Sequence, residues 1–549
     1  MDERIARWLS RSVLVMLVAM LLVGMFVPVY TDEIGWRLQE RAGFDGVDKL
    51  FNEACGPNTL AVPPWFMMPV RYYSAIFNGA FADPFWIRVS GVLYALVWVG
   101  LVLVLVRRIA ERREGRAVVA TIGFGLMALG TMPLLMVWSR PEQPIVLAAV
   151  AALILAFADG TGPSRPLTTS QQAWGRSVAI WVLSCIAVSY HVKGLFLLPL
   201  LLACLFFASH GRKSVVPRLT IGALTLFTTA SAVVYWSSRM ACPGDAILRI
   251  ASTDNLAGAI AGVSSLSQAT DLIGTLFSNI SIFRYVAMSS PQFEPMSSWL
   301  EPYQISEAAS FQWSFAICVA WALALALGAG SAAAGLIRSI RQRELDPRPI
   351  LAFIVAGVAV AWTAMQHIMR GVYETKFVLL LLMLAIVLGV SSYVSERLRA
   401  ARTIVTVFIG VFAVIGAIAI TAMYAPSLER AARQQGRITA QPFSLSVFGF
   451  AKERPKIEAA AKLCGIKDPA KAHALMIDDA TYLPLIRARL PQHVYGLFGM
   501  WKGEISDPVA YLKSRGSSGA VVGCFYLTPE LRARAKQAGG YCCLGPPNW

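Results

Sequence analysis

The chain has 549 residues, of which 56% are hydrophobic and only 15% charged, with a mean hydropathy of +0.58 and a formal net charge of +17 at pH 7. A soluble protein of this length needs far more charge to cover its surface, so composition excludes one. The positive excess follows a membrane-topology pattern, set out below, and calls for no nucleic-acid partner.

A helix crossing ~30 Å of hydrocarbon needs roughly 20 apolar residues. Eleven runs come near that length: about 12–30, 85–106, 118–138, 144–159, 177–190, 194–208, 219–236, 313–337, 349–369, 377–394 and 403–424. The first is too long for a cleaved signal peptide and lacks a small-residue cleavage site. The expected fold is therefore a polytopic α-helical membrane domain over residues 1–424. Two long loops interrupt it, 31–84 and 237–312.

Orientation follows from Lys and Arg, which concentrate on the cytoplasmic side of short loops. One set of connections carries Arg4, Arg7 and Arg11; Arg107, Arg108, Arg112, Arg113 and Arg116; Arg165 and Arg176; Arg212, Lys213 and Arg218; Arg338, Arg341, Arg343 and Arg348; and Arg397, Arg399 and Arg402. The alternate short connections hold only Arg140, Lys193, Arg370 and Lys376. This predicts a cytoplasmic N-terminus, and an odd number of spans sends the tail to the periplasm. Cys55, Cys242, Cys464, Cys524, Cys542 and Cys543 all fall in segments assigned outside, where disulfides form. Six thiols allow fifteen pairings, or can remain unpaired and buried. Cys542 and Cys543 are adjacent and so are expected to reach Cys464 or Cys524 rather than each other.

In the first long loop, "AVPPWFMMPVRYYSAIFNGAF" carries Arg71 as its one charge. It reads as a helix lying in the membrane interface or packed against the bundle. The second loop is Ser-rich and is expected to fold over the outer face. "NIS" at Asn279 is a chance-level glycosylation sequon. Residues 425–549 contain no span and are expected to form a small periplasmic α/β domain. "HALMID" and "GAVVGCFYL" read as strands, and "PELRARAKQAG" as a helix ending at glycine. Asp478 and Asp479 suit a helix N-cap after a strand.

Polar groups at a membrane edge are costly and mark function. Asp32 and Glu33 directly follow the first run. "WSRPEQP" supplies Arg140 and Glu142; "SYHVKG" supplies Tyr190, His191 and Lys193; "QHIMRGVYETK" supplies His367, Arg370, Tyr373, Glu374 and Lys376. Arg284 lies in the second long loop. The three connections are short enough to hold these side chains near the bilayer surface. Carboxylates beside cations suit transfer of a sugar from a lipid phosphate. A base must take the acceptor proton, and cations must receive charge developing on the leaving phosphate. Bland roles also fit: Asp32–Glu33 as a helix end, Arg140–Glu142 as an ion pair closing a turn, and Lys193, Arg370 and Lys376 as snorkelling anchors. No spacing marks His191 or His367 as metal ligands.

With "TDE" after the first span and "RPE" after the third, the chain resembles the GT-C glycosyltransferases. These include protein O-mannosyltransferases, lipid A aminoarabinose transferases and mycobacterial arabinosyltransferases. The resemblance implies an inner-membrane enzyme using a polyprenyl-phosphate sugar donor. It further implies inverting transfer to an envelope polysaccharide, lipid or protein, with Asp32 as base. Glu33 would orient the acceptor or hold a divalent cation, and no cofactor is otherwise implied. Rival readings are a transporter or lipid-linked sugar flippase, an O-antigen polymerase or ligase, and a noncatalytic envelope subunit.

Overall fold

A computed structural model describes residues 3–30, 33–35, 37, 63–80, 83–110, 113–160, 168–240, 265, 267, 307–364, 371–392, 396–433, 444–489, 491–493, 507–514 and 516–546. Helices dominate to residue 433: α1 (Glu3–Val23), α2 (Met68–Ala80), α3 (Pro84–Ile109), α4 (Arg113–Ala128), α5 (Met132–Met136), α6 (Glu142–Ala156), α7 (Ser170–Tyr190), α8 (Leu198–Phe207), α9 (Val215–Met240), α10 (Glu307–Gln342), α11 (Pro347–Ala364), α12 (Gly371–Ser391) and α13 (Glu396–Arg433). Each apolar run carries helix, because the polar backbone of a segment in lipid must satisfy its own hydrogen bonds. Among the described residues, six helical stretches are long and apolar enough to cross a membrane, and four shorter apolar helices accompany them. The chain is thus a multi-pass membrane protein.

Two runs end differently from expectation. The first stops being α-helical at Val23, tightens into a 3-10 turn over Gly24–Phe26, and becomes strand β1 at Val29–Tyr30. Pro28, which cannot donate to the preceding turn, sits at the change. The third run is split: α4 ends at Ala128 and the short α5 begins at Met132. In the bundle α1 packs on α4 and α13, α3 on α6, α7 on α6 and α9, and α12 on α10 and α11. The segment Trp65–Ala80, a 3-10 turn followed by α2, rests on this assembly through Phe66 and Met67, which join Cys185, Val188, Ala232 and Tyr235 in one cluster. Its other side exposes Trp65, Tyr72, Tyr73 and Ile76. Packing and an apolar outward face coexist.

Beyond residue 433, strand β2 (Ser444–Leu445) pairs antiparallel with β1. A five-stranded sheet follows, in the order β4 (Gln492–His493), β3 (Met476–Ile477), β5 (Ala520–Gly523), β7 (Tyr541–Leu544), β6 (Lys536–Ala538). β3 runs parallel to β4 and β5; β7 is antiparallel to β5 and β6. One face packs on α14 (Arg454–Leu463) and carries Ile477, Val521 and Tyr541. The other carries Met476, Val522 and Cys542 against Leu512 and Leu531. Asp478 caps the short helix α15 (Asp479–Tyr482), accepting from the Ala480 and Thr481 amides at 2.9 Å, as a helix N-cap should. "PELRARAKQAG" departs from the expected helix. α16 is Pro508–Ser514, and α17 occupies only Pro529–Arg534 before β6 begins. Gly539 and Gly540 both have positive φ (56° and 89°), so the glycines close a two-residue hairpin to β7 instead of capping a helix.

Cys543 bridges to Cys464 and Cys542 to Cys524, the partners expected for the adjacent pair. Cys55 and Cys242, like most of the second long loop, lie outside the described residues. Replacing both Cys464 and Cys524 with Ser should cost this sheet about 2–5 kcal/mol. The measurement is thermal unfolding together with trypsin cleavage after Arg532, and an unchanged profile would show the bridges to be energetically idle.

Candidate functional site

The site begins where α1 ends. Arg88, one turn into α3, has a side chain with no solvent exposure. All five of its N–H groups are used. Nε donates to the Val27 carbonyl (2.9 Å), and Nη1 to the Val137 carbonyl (2.7 Å) and Glu33 Oε1 (3.1 Å). Nη2 donates to the Pro28 carbonyl (2.5 Å) and Glu33 Oε2 (2.8 Å). Glu33 is equally enclosed, and accepts further bonds from the Tyr30 amide (2.9 Å) and the Ser139 amide (2.6 Å). A buried charge costs several kcal/mol unless paired and hydrogen-bonded, and here both members are. The pair fastens the exit of α1, the first turns of α3 and the α5–α6 turn to one another.

Close approach of the α5–α6 turn to α3 depends on Gly91. A Cβ there would lie 1.8 Å from the Val137 carbonyl oxygen. Gln143 secures the same contact, donating to the Met136 carbonyl (3.0 Å) and the Gly91 carbonyl (3.4 Å). Glu33 therefore departs from its expected role. Four donors occupy its oxygens, so the carboxylate is a structural fastener rather than a group that orients an acceptor or holds a cation. Among the described residues no three His, Cys, Asp or Glu side chains converge as metal ligands.

Arg37 lies four residues beyond Glu33 and is 4% exposed. Its Nη1 donates to the Glu33 carbonyl (2.8 Å), and its Nη2 to Ser139 Oγ (3.1 Å) and Ser90 Oγ (3.3 Å). Beside it Arg140 forms an ion pair with the fully buried Glu142, with Nε–Oε2 at 3.2 Å. Lys193 meets Glu142 Oε1 from the other side at 3.5 Å and lies over the Trp362 ring. Lys376, 1% exposed, donates to the Leu135 carbonyl (2.7 Å) between the rings of Trp138 and Phe377. Arg140, Lys193 and Lys376, far apart in sequence, are thus brought to one end of the bundle. Arg140–Glu142 is indeed an ion pair closing a turn. His191 takes a local role: its Nδ1 accepts from the Lys193 amide (3.1 Å) and caps the 3-10 turn Val192–Leu197.

A small, partly open cleft of about 40 Å³ adjoins this cluster. Arg37, Ser74, Ser139 and Arg140 supply its polar lining; Tyr94, Tyr190, Pro141, Pro144 and the α2 residues Tyr73 and Phe77 supply its aromatic and apolar lining. A cationic floor beside an aromatic wall suits an anion attached to an apolar or sugar-bearing group. Asp32, Arg284, His367, Arg370 and the side chain of Glu374 lie outside the described residues. Two residues central to the geometry, Arg88 and Arg37, escape the sequence reading. Arg88 could have been flagged as an ionisable group just inside an apolar run. Arg37 could have been flagged by its helical i,i+4 spacing from Glu33.

No protein-family model matches the chain. No curated protein sequence matches it. Among solved structures it is similar to the crystal structure of ArnT from Cupriavidus metallidurans bound to undecaprenyl phosphate. The sequence identity is 12% and the TM-score 0.47, over 98% of this chain and 97% of that one. A likeness of that degree establishes neither activity nor ligand.

The buried pair gives a direct test. Arg88→Met leaves the Glu33 carboxylate enclosed without its cation and should cost about 3–5 kcal/mol. The double variant Arg88→Met/Glu33→Leu, with no charge left to strand, should recover part of that loss. Thermal unfolding in detergent measures both; a neutral single variant would show that the pair fastens nothing.

Proposed function

We propose that the chain is an inverting glycosyltransferase of the GT-C type, working at the periplasmic face of a bacterial inner membrane. It moves a sugar from a polyprenyl-phosphate donor to an envelope polysaccharide, lipid or protein. The observation that carries this reading is the cleft in which buried Arg37 and Arg140 face an aromatic wall at the end of the bundle where the chain leaves α1. Thr31 and Asp32 are the two residues between Tyr30, whose amide donates to Glu33, and Glu33, which Arg88 holds.

In the reaction, Asp32 takes the proton of the acceptor hydroxyl. The hydroxyl oxygen attacks the anomeric carbon from the face opposite the lipid phosphate, and the bond from that carbon to the phosphate oxygen breaks. Its electron pair stays on the phosphate, where Arg37 and Arg140 meet the added charge with forked N–H donors. No strong acid is needed, because the phosphate is already a good leaving group. Glu142 holds Arg140 on one side and Lys193 on the other, and Lys193, Arg370 and Lys376 are the further candidates for contact with the donor phosphate. Tyr190 and the α2 aromatics cover the donor's sugar or first prenyl units.

Asp32→Asn should lower transfer by ~10²–10⁴-fold, the usual worth of a general base, with thermal unfolding unchanged. The assay uses proteoliposomes supplied with radiolabelled polyprenyl-phosphate arabinose or mannose and envelope extract as acceptor. Arg140→Gln should weaken polyprenyl phosphate binding by ~10–100-fold, since a hydrogen bond to a charged group is worth about 1.5–3 kcal/mol. Near-normal turnover in Asp32→Asn would sink the assignment. Flux of the lipid-linked sugar across sealed vesicles without covalent product would favour the flippase.

A further inference from the structure

We infer that the segment Ser444–Phe450, far along the chain, is a positioning element of the site and not merely a connector to the sheet that follows it. This rests on the reading above that residue 32 is the reactive acid. The segment lies against both walls of the Arg88 clamp. Its strand β2 pairs with β1, Val29 opposite Leu445 and Tyr30 opposite Ser444. Leu445, Val447 and Phe450 are buried in one apolar cluster with Val29 and Ile34 from the exit of α1, and with Ile87, the neighbour of Arg88. The Phe448 ring lies 5.4 Å from that of Phe26, at the end of α1, and 5.9 Å from that of Phe85, at the start of α3.

The segment is itself anchored to the bundle. Ser446 Oγ donates to the Ala431 carbonyl near the end of α13 (2.9 Å) and accepts from the Gly449 amide (2.9 Å). Tyr30 is therefore held from two sides. Its amide donates to Glu33 Oε2, while its strand is paired with β2. Two-residue strands are weak alone, so β1 owes its extended form to β2 as much as to the clamp. Loosening β2 releases the upstream end of the dipeptide Thr31–Asp32 and leaves its downstream end fixed at Glu33. A misplacement of an ångström at a reacting group costs on the order of 10²-fold in rate, whereas Arg140 is held by Glu142 within its own turn. The signature is a fall in kcat with donor binding intact.

Hydrogen exchange on the full-length protein in nanodiscs reads the coupling directly. In Leu445→Asp and Phe448→Ala, the amides of Val29 and Tyr30 should exchange at least tenfold faster, with those of α6 unchanged. Leu445→Ile should behave as the parent. Phe448 is 43% exposed, so its alanine variant should keep the sheet folded, which protected Val521 and Val522 amides would verify. That variant decides the matter if Leu445→Asp unfolds. Both variants should bind polyprenyl phosphate within twofold of the parent while turnover falls at least tenfold. Unchanged exchange at Val29 and Tyr30, or a turnover loss matched by an equal loss of binding, would overturn the inference. If the parent itself transfers neither sugar, the glycosyltransferase reading fails, and the exchange arm still decides whether this segment holds residues 29–30.

Discussion

A carboxylate and a guanidinium, neither reached by solvent, fix how three stretches of chain meet at one end of the helical bundle. Glu33 and Arg88 attract each other strongly because the surroundings are apolar. The same surroundings make either one alone intolerable. Geometry rather than Coulomb energy makes the pair useful. Arg88 spends two donors on Glu33 and three on the carbonyls of Val27, Pro28 and Val137. Glu33 spends its remaining lone pairs on the amides of Tyr30 and Ser139. Backbone that would otherwise be irregular and unsatisfied at the bilayer edge is thereby saturated.

The cleft inherits its order from that arrangement. Ser139 receives a bond from Arg37 and its amide donates to Glu33; Arg140 follows directly in the same turn. Among the described residues Arg37 and Arg140 line the cleft; Glu142 and Lys193 stand behind Arg140, and the Glu33–Arg88 pair stands behind Ser139. The two acids stand at separate points, each holding its own cations. Such a surface offers a positive potential that is rigid before anything arrives, so an incoming anion need not reorganise it.

Much of this was legible in the sequence, for reasons that differ by feature. Apolar runs announce helices because lipid permits little else, and the few charges between or at the ends of those runs, Arg140, Glu142 and Lys193 among them, pointed to carboxylates beside cations. Where a run stops was not legible. Val29 and Tyr30 suit a helix as an apolar continuation, yet they pair with residues more than 400 positions away. The Gly539–Gly540 pair looks like a helix stop until β7 claims it as a hairpin. Asp32 and Glu33 are chemically near-identical neighbours, and only the position of Arg88 shows that the second is consumed by structure. Arg88 was hidden because an apolar run is read for its average, and one charge barely alters the average.

Cys542 and Cys543 are neighbours on a β-strand, so their side chains point to opposite faces, one bridged to Cys524 and the other to Cys464. Exchanging the two partners would demand turning β7 over, which would take Tyr541 out of the cluster on the α14 face and Cys542 and Leu544 out of the one opposite. Correct assortment must therefore be settled while the strand is still free to rotate. A chain joined the wrong way could then reach this sheet only by reopening a disulfide through thiol exchange.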